Sequence, residues 1–239
     1  MANIFRSARL LYRAVEDYDR DFIHSVESDP AISGNANVDL LKPASKRNVK
    51  GFVHFMQETA LLGVIVCLQP PPEDGTFSPH SSDTTTTPAA TPATRAEHRH
   101  SPSNWNGPGR PPSTSPASAT PIGYISLAHE LGPANPHHRS ASIGISIAAD
   151  HQGRGYGTEA INWILDWGFD VAGLHRVAIT SFAYNDGAGR LYERLGFVLE
   201  GRRRDALWFR GAFHDMLLFS MLRHEWEERT AGKVSIGGT

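Results

Sequence analysis

The sequence predicts a single α/β domain built on a mixed β-sheet with packed helices, interrupted by a long disordered insert. Short apolar runs rich in β-branched residues alternate with segments whose apolar residues recur at helical spacing. One block of the chain is dominated instead by Pro, Ser and Thr. The chain outside that block is long enough to bury one hydrophobic core.

Composition and charge exclude several classes of protein. With 23 Lys and Arg against 25 Asp and Glu, the net charge is −2, which argues against nucleic acid or a membrane as partner. The single cysteine, Cys67, excludes an intramolecular disulfide and a cysteine-based zinc site, and we predict no metal site. Its apolar surroundings predict a buried, inert thiol. The sequence has neither a spanning apolar run nor a signal peptide, so we expect a cytoplasmic protein, with a nuclear location left open.

Residues 1–69, the first part of the domain, are predicted to contain two strands and two helices. The strands cover Arg9–Val15 and the nearly all-apolar run Leu61–Leu68. One helix follows the first strand and ends before Pro30, and Ser45 is the predicted N-cap of the next. The helices have apolar faces formed by Val15, Tyr18, Phe22 and Val26, and by Val49, Phe52, Val53 and Met56.

Residues 70–120 form the predicted disordered insert. Stretches such as TTTTPAATPATRAEHRH have no period and almost no large apolar side chains. They bury too little surface to offset the entropy of ordering the chain. If the strands on either side pair, the insert lengthens a hairpin connection at a cost that grows only with the logarithm of its length.

Residues 121–227 are predicted to complete the domain, and residues 228–239 to form a flexible tail. One predicted helix follows the glycine-rich segment after Asp150, and another covers Asp186–Leu195, where Gly196 suits the left-handed residue that ends a helix. The predicted strands begin at Ile122 and then cover Ser140–Ala148, Val177–Phe182, Phe197–Glu200 and Phe213–Met221.

The strongest chemical signal is the segment Gln152-Gly153-Arg154-Gly155-Tyr156-Gly157-Thr158, between a predicted strand and a predicted helix. Its glycines allow positive φ and a close approach of the backbone to a ligand. Successive amides and the positive end of the helix then form a cradle for a phosphate or diphosphate. A Walker A sequence is absent, and the spacing does not fit a dinucleotide fingerprint, so a nucleotide is the weaker alternative. A turn that merely joins strand to helix is the structural alternative.

Several segments together resemble the GCN5-related N-acetyltransferases. Gln152–Ala160 is similar to the family's acyl-CoA diphosphate motif Q/R-x-x-G-x-G/A. The resemblance covers residues 8–69 and 121–227. Ala183-Tyr184-Asn185, together with Leu191–Phe197 and Glu200-Gly201, is similar to the family's second CoA motif. Gly211, Asp215 and Glu225-Trp226 resemble the branch that includes the ribosomal-protein N-terminal alanine acetyltransferases.

The resemblance implies a mixed sheet, flanked by helices, that splays open between its fourth and fifth strands, here Ser140–Ala148 and Val177–Phe182. Acetyl-CoA would lie in the opening as co-substrate, with its pantetheine along the fourth strand and its diphosphate on the glycine-rich turn. The cofactor-binding residues implied in this way are Ile145, Ile147, Gln152, Gly153, Arg154, Gly155, Tyr156, Gly157, Thr158, Asn185 and Tyr192.

The chemistry implied by the resemblance is direct attack of a primary amine on the acetyl thioester in a ternary complex. Tyr192 matches the tyrosine that acts as general acid toward the leaving thiolate, with a core tyrosine as the structural alternative. An amide of the fourth strand would stabilise the oxyanion. Many relatives carry a glutamate base where this sequence has Ser142, so Ser142, His129, Glu130 and a water chain stay open as candidates for the base.

Two functions of different classes follow. The first is an N-acetyltransferase whose acceptor is a protein N-terminus, a polyamine or a small amine. The second is a catalytically inactive CoA-binding module with a regulatory or interaction function, which Ser142 and the long insert suggest. The sequence leaves open the acceptor, the acyl chain, and whether the protein is a monomer or a homodimer.

Overall fold

The computed structural model describes residues 3–69 and 119–234. The predicted disordered insert lies outside the described residues, apart from positions 119 and 120. The described strands are β1 (Leu10–Ala14), β2 (Leu62–Leu68), β3 (Pro121–His129), β4 (Ser140–Ile147), β5 (Arg176–Phe182), β6 (Val198–Phe209) and β7 (Ala212–Leu222). The described α-helices are α1 (Arg20–Glu27), α2 (Pro30–Ala36), α3 (Lys46–His54), α4 (Tyr156–Asp166), α5 (Asp186–Arg194) and α6 (Arg223–Val234).

The strands form one mixed sheet in the order β1-β2-β3-β4-β5-β7-β6, so the predicted α/β class is confirmed. Neighbouring strands are antiparallel except β4 and β5, which run parallel. The strands on either side of the insert pair with each other, and the Leu68 amide donates to the Thr120 carbonyl at 2.9 Å. The two ends of the insert are therefore adjacent on one hairpin.

Hydrophobic cores lie on both faces of the sheet. One face packs against α4, α5 and α6, with Ile161, Ile164 and Trp226 among its buried side chains. The other packs against α1 and α3, with Ile23 and Val53 buried. Since each face is covered by helices, the central strands are apolar on both sides, which explains the nearly continuous apolar run in β2.

Helix α2 is absent from the sequence prediction, which treated Pro30 only as the end of the preceding helix. Pro30 is instead the first residue of α2, where its fixed φ is favourable and its missing N–H costs nothing. The Asp29 carboxylate caps this helix by accepting from the Ala31 amide at 2.8 Å. A proline that follows a helix can mark the end of that helix or the start of the next one. In the sequence only the Asp29-Pro30 pair favours a helix start.

The tail and the last hairpin also differ from the prediction. Residues 228–234, predicted as flexible tail, belong to α6, which is anchored by Trp226 Nε1 donating to Asp166 at 2.9 Å and by Arg229 donating to Asn162 at 2.9 Å. Strand β6 is much longer than the predicted Phe197–Glu200. It is largely exposed and has two irregularities in register, so it lacks the clean alternation that identifies a strand in a sequence.

Candidate active site

Strands β4 and β5 are paired at one end only. Their parallel register runs from Ser140 opposite Arg176 to Ser142 opposite Ala178. Beyond Ser142, β4 continues to pair with β3 on its other side. The predicted splay between the fourth and fifth strands is therefore confirmed.

The hydrogen-bond alternation of the β3–β4 ladder determines which amides of β4 face the opening. The Ala148 amide donates to the Ile122 carbonyl at 2.8 Å, so alternate residues of β4, Ser146 among them, point their polar groups toward β3. The amides of Ile145 and Ile147 then point the other way, toward the gap. Both residues line the cleft that fills this gap.

The glycine-rich turn has the backbone geometry of an anion cradle. Gly153 and Gly155 have φ of +71° and +80°, a conformation that disfavours any residue with a Cβ. Gly155 is the N-cap of α4, and the Glu159 amide is bonded to its carbonyl at 3.1 Å. The amides of Tyr156, Gly157 and Thr158 are in the first helical turn, so they have no carbonyl acceptor within the helix. They are therefore available to an anion, and the helix dipole favours it.

A cleft of about 570 Å³ joins this turn to the open edge of β4, a volume suited to one elongated ligand. Arg154 is exposed beside it, and Arg194 of α5 adds a second cation to its wall. The predicted cofactor-binding residues that line it are Ile145, Ile147, Gln152, Gly153, Gly155, Tyr156, Gly157, Thr158, Asn185 and Tyr192. The residues present thus fit a phosphorylated ligand that runs along a strand edge.

Two of these residues also organise the cleft. The Gln152 side chain donates to the Ile147 carbonyl at 2.8 Å and so ties the turn to the end of β4. The Asn185 side chain caps α5 by accepting from the Ala188 amide at 3.2 Å, and it donates to the Asn35 carbonyl of α2 at 3.4 Å. Asn185 therefore links two walls of the cleft, α5 and α2.

Tyr192 is nearly buried in the cleft wall, with 7% of its surface exposed. Its ring packs edge-on against Phe219 at 5.8 Å between centroids and lies 6.0 Å from Phe197. Burial raises the pKa of Tyr192 to about 12. The phenol is therefore protonated at neutral pH, which is the state that a proton donor requires.

The three candidates for the general base lie in different surroundings. Glu130 accepts from Ser140 and, at 3.1 Å, from Arg176, at the end where β4 and β5 are paired. His129 and Glu130 are not among the described residues that line the clefts on β4. Ser142 does line a second cleft, of about 250 Å³, on the side of the sheet that packs against α1 and α3.

The second cleft adjoins both the first cleft and a third. Ile145 and Ser146 line both the first and the second cleft, and Asn37 and Phe52 line both the second and a third of about 210 Å³. Hydroxyl groups of Tyr124, Ser126, Ser142 and Ser146 are present along the second cleft. The three clefts therefore lie side by side, from the glycine-rich turn, past the open strand edge, to the surface beside α1.

Sequence reasoning predicted Ser142 and Ile145 of the second cleft but missed Tyr124 and Glu27. The Tyr124 hydroxyl donates to Glu27, which lines the third cleft, and Asn37 donates to the same carboxylate at 3.1 Å. Burial raises the pKa of Tyr124 well above its usual range, with the Glu27 charge acting in the same direction. Tyr124 and Glu27 are 97 positions apart in sequence, on β3 and α1, so no local pattern signals their contact.

Comparison with known proteins places this site in a family. The model of the acetyltransferase (GNAT) domain matches residues 9–198, most of the chain. The chain belongs to the GNAT acetyltransferase family. Enzymes of this family use acetyl-CoA as co-substrate. The match spans β1 through the start of β6 and so contains the strand gap and the glycine-rich turn.

Curated GNAT relatives include a putative ribosomal N-acetyltransferase, YdaF, of Bacillus subtilis, 39% identical over 105 residues, or 44% of this chain and 55% of the relative. A spermidine N(1)-acetyltransferase of Vibrio cholerae is 35% identical over 101 residues, or 42% of this chain and 58% of the relative. The chain thus spans little more than half the length of the curated relatives it matches.

Solved GNAT structures share the fold. An acetyltransferase of Bacillus anthracis superposes with a TM-score of 0.62 at 17% identity, covering 92% of this chain and 98% of the other. The Vibrio cholerae spermidine N-acetyltransferase, solved in complex with CoA and spermine, has a TM-score of 0.62 at 21% identity, covering 92% and 99%. None of the helices among the described residues is both long and apolar enough to cross a membrane.

Proposed function

We propose that this protein is an acetyl-CoA-dependent N-acetyltransferase that acts on a primary amine. The observation that carries the proposal is that two clefts adjoin one open strand edge from its two sides. The first leads from the glycine-rich turn to Ile145 and Ser146, and the second reaches the same two residues from the opposite side of the sheet. A donor and an acceptor that enter from the two sides would meet there, as direct transfer requires.

The donor is proposed to bind along the first cleft. The amides of the glycine-rich turn would hold the diphosphate of acetyl-CoA, and the outward-facing amides of Ile145 and Ile147 and the Ile145 carbonyl would pair with its pantetheine arm. Acetyl-CoA supplies the acetyl thioester. An amide of β4 near the junction would donate to the oxyanion that forms when the amine attacks.

Tyr192 is proposed as the general acid. A thiolate leaves as the carbonyl re-forms, and a phenol held protonated in the cleft wall can give its proton to that sulfur. The attacking amine must be neutral, whereas a lysine-like amine has a pKa near ~10.4 and an α-amine near ~7.7–8.0. A route for the amine proton is therefore needed on the acceptor side.

We propose that this proton leaves through the hydroxyl groups of the second cleft. Ser142 and Ser146 line it, and Tyr124, directly opposite Ser146 in the β3–β4 register, donates to Glu27. Transfer along this chain, with water between groups, would leave the proton on the Glu27 carboxylate. Ser142 thus keeps a place in the mechanism as one hydroxyl of the relay.

The acceptor is proposed to be a polyamine or another amine with a second positive charge. Before the proton is transferred, the third cleft carries two carboxylates, Glu27 and Asp39, and one opposing cation, Lys42. This leaves a net negative charge where a distal ammonium would lie when the acceptor binds. The names of the relatives, which include spermidine acetyltransferases, agree with this acceptor class.

Thiol release from acetyl-CoA with three acceptors tests the proposal: spermidine, a peptide with N-terminal alanine, and a monoamine. We expect spermidine to have a kcat/KM at least about tenfold above the monoamine, since one charge pair in a partly desolvated cleft contributes roughly 1–2 kcal/mol. Asp39→Asn should reduce that preference and leave the monoamine rate unchanged.

Two results would contradict the proposal in different ways. Calorimetric binding of acetyl-CoA without thiol release, with any of the amines, would favour the inactive CoA-binding module. Failure of the folded protein to bind acetyl-CoA at all would overturn both functions.

A further inference from the structure

The segment before β1 is fastened to the glycine-rich turn. We call residues 3–9 the N-terminal arm. The Ile4 carbonyl accepts from Trp163 Nε1 at 2.7 Å, and the Ser7 carbonyl accepts from the Gln69 side chain at 2.6 Å. These bonds attach the arm to α4 and to the end of β2. They place the last arm residue, Arg9, directly behind the first turn of α4.

Arg9 makes three kinds of contact with this turn. Its Nε donates to the Glu159 carboxylate at 2.8 Å, and its backbone amide donates to the same carboxylate at 2.7 Å. Its Nη1 donates to the Arg154 carbonyl at 3.0 Å. Its guanidinium also lies over the Tyr156 ring, 4.6 Å from the centroid. One side chain thereby joins the apex of the turn to the helix that follows it.

The bond to the Arg154 carbonyl fixes the direction of an amide. In a trans peptide the carbonyl and the next N–H point to opposite sides, and the chain has no cis peptides among its described residues. Arg9 lies behind the turn, in a groove that Gly155 also lines, while the other side of Gly155 lines the first cleft. Holding the Arg154 carbonyl toward Arg9 therefore turns the Gly155 N–H toward the cleft.

Arg9 also neutralises a charge that would repel a phosphate. Glu159 lies in the first turn of α4, in the groove behind the proposed diphosphate site. Burial acts to raise the pKa of Glu159, but hydrogen bonds from Ser7 and Arg9 outweigh burial and lower it, so the carboxylate is ionised at neutral pH. Without Arg9 the charge of this carboxylate, which lines the groove behind the turn, would act on the ligand's phosphates uncompensated.

We propose that Arg9 is a positioning residue for the diphosphate of the acyl donor, acting through the Arg154–Gly155 peptide and through Glu159 rather than by touching the thioester. The proposal rests on the proposed function, because it assumes a donor with a diphosphate. It predicts that Arg9 affects donors with phosphates and not donors without them.

The test compares acetyl-CoA with S-acetyl-pantetheine, which lacks the diphosphate and adenosine, in wild type and Arg9→Met. We expect the KM for acetyl-CoA to rise about tenfold with kcat little changed. The reason is that the Gly155 amide would no longer point into the cleft, so one hydrogen bond to the charged diphosphate would be lost. The KM for S-acetyl-pantetheine should not change. Arg9→Lys should recover only part of the effect, because an ammonium cannot bridge Glu159 and the Arg154 carbonyl as the guanidinium fork does.

Arg139→Met is the matched control. Arg139 also donates from Nε to a backbone carbonyl, in this case the carbonyl of Gly173 at 2.6 Å, and Gly173 has a positive φ. Arg139 is not among the described residues that line the cleft. It should lower stability without raising the KM for acetyl-CoA. Equal changes for both donors in Arg9→Met, or no change for acetyl-CoA, would overturn the positioning proposal while wild-type turnover keeps the function standing. A wild type that binds neither donor would overturn both.

Discussion

The two ends of the β4–β5 strand pair have opposite chemistry. At the closed end, Ser140–Ser142 pair with β5, and Arg176 binds both Glu130, at 3.1 Å, and Glu200. At the open end, the polar groups of Ile145 and Ile147 face a cleft rather than a strand. Polar backbone groups are thus satisfied within the protein at the closed end. At the open end the Gln152 side chain satisfies the Ile147 carbonyl, and the amides of Ile145 and Ile147 are left for a ligand.

The difference shows how one strand can serve both stability and binding. An exposed strand edge is normally a liability for aggregation, but here the gap is short and covered by α2, α4 and α5, which all line the cleft. The closed end keeps β4 and β5 together, so the open end does not have to. Variants at the open end should therefore affect ligand binding and catalysis, and variants at the closed end should affect stability.

The largest effect at the open end is expected for Tyr192→Phe. The change removes only a hydroxyl, so acetyl-CoA binding should persist, while kcat should fall by about 100-fold or more, the usual loss for a general acid. Steady-state kinetics and calorimetry measure the two quantities separately. A kcat within twofold of wild type would show that the thiolate leaves without this proton.

The pH profile of kcat in the wild type tests the protonation state of Tyr192. Since burial raises the pKa of Tyr192 to about 12, the acid form persists across the physiological range. No loss of kcat from this group should appear between pH 7 and pH 10. A descending limb in that range that disappears in Tyr192→Phe would contradict the raised pKa, because it would show that the Tyr192 phenol loses its proton below pH 10.

A smaller effect is expected from replacing Gly155, which has φ of +80° in the glycine-rich turn. Gly155→Val costs roughly 1–2 kcal/mol of left-handed strain, which the turn can relieve only by losing its cradle shape. The Kd for CoA should therefore rise about tenfold or more. Gly132→Val is the matched control, with φ of +85°, open space around its Cβ and a place in the β3–β4 connection. It should lower Tm similarly but leave the Kd unchanged; equal Kd changes would contradict a binding function for the turn.

The sequence was informative where a local pattern carries the signal. β2 is an unbroken apolar run, Ser45 caps α3 through the Asn48 amide at 3.2 Å, and the glycine-rich turn requires its positive φ angles. The family resemblance added the strand gap, which no periodicity reveals. The first three features depend on residues close together in sequence, whereas the strand gap was predicted because the family motif implies it.

The rest depends on contacts between distant parts of the chain. The approach of Glu27 to Tyr124 and of Arg9 to Glu159 joins residues separated by 97 and 150 positions. The sequence of the long strand β6 lacks apolar alternation, because the strand lies at the edge of the sheet and most of its side chains are exposed. The assignment of residues 228–234 to a tail failed because α6 is held by a few polar anchors, such as Arg229, rather than by an apolar stripe.

The smallest effect is expected at the closed end, from Arg176→Met. Arg176 and its partners are partly exposed, so losing the pairs with Glu130 and Glu200 should cost about 1 kcal/mol, or a Tm decrease of roughly 2–4 °C. The hydrogen bond from Arg176 lowers the pKa of Glu200. Its stabilising contribution is therefore present above the unfolded value of about 4.3 and is lost as the pH falls through the lowered folded value.

Wild type and Arg176→Met should accordingly differ in stability at pH 7 and converge toward pH 3, as measured by urea unfolding. The KM for acetyl-CoA should be the same in both at pH 7, because the glycine-rich turn and the open edge of β4 make no contact with this ion-pair network. A raised KM in Arg176→Met would mean that the closed end sets the width of the gap. Stability and binding would then be coupled along β4 rather than divided between its two ends.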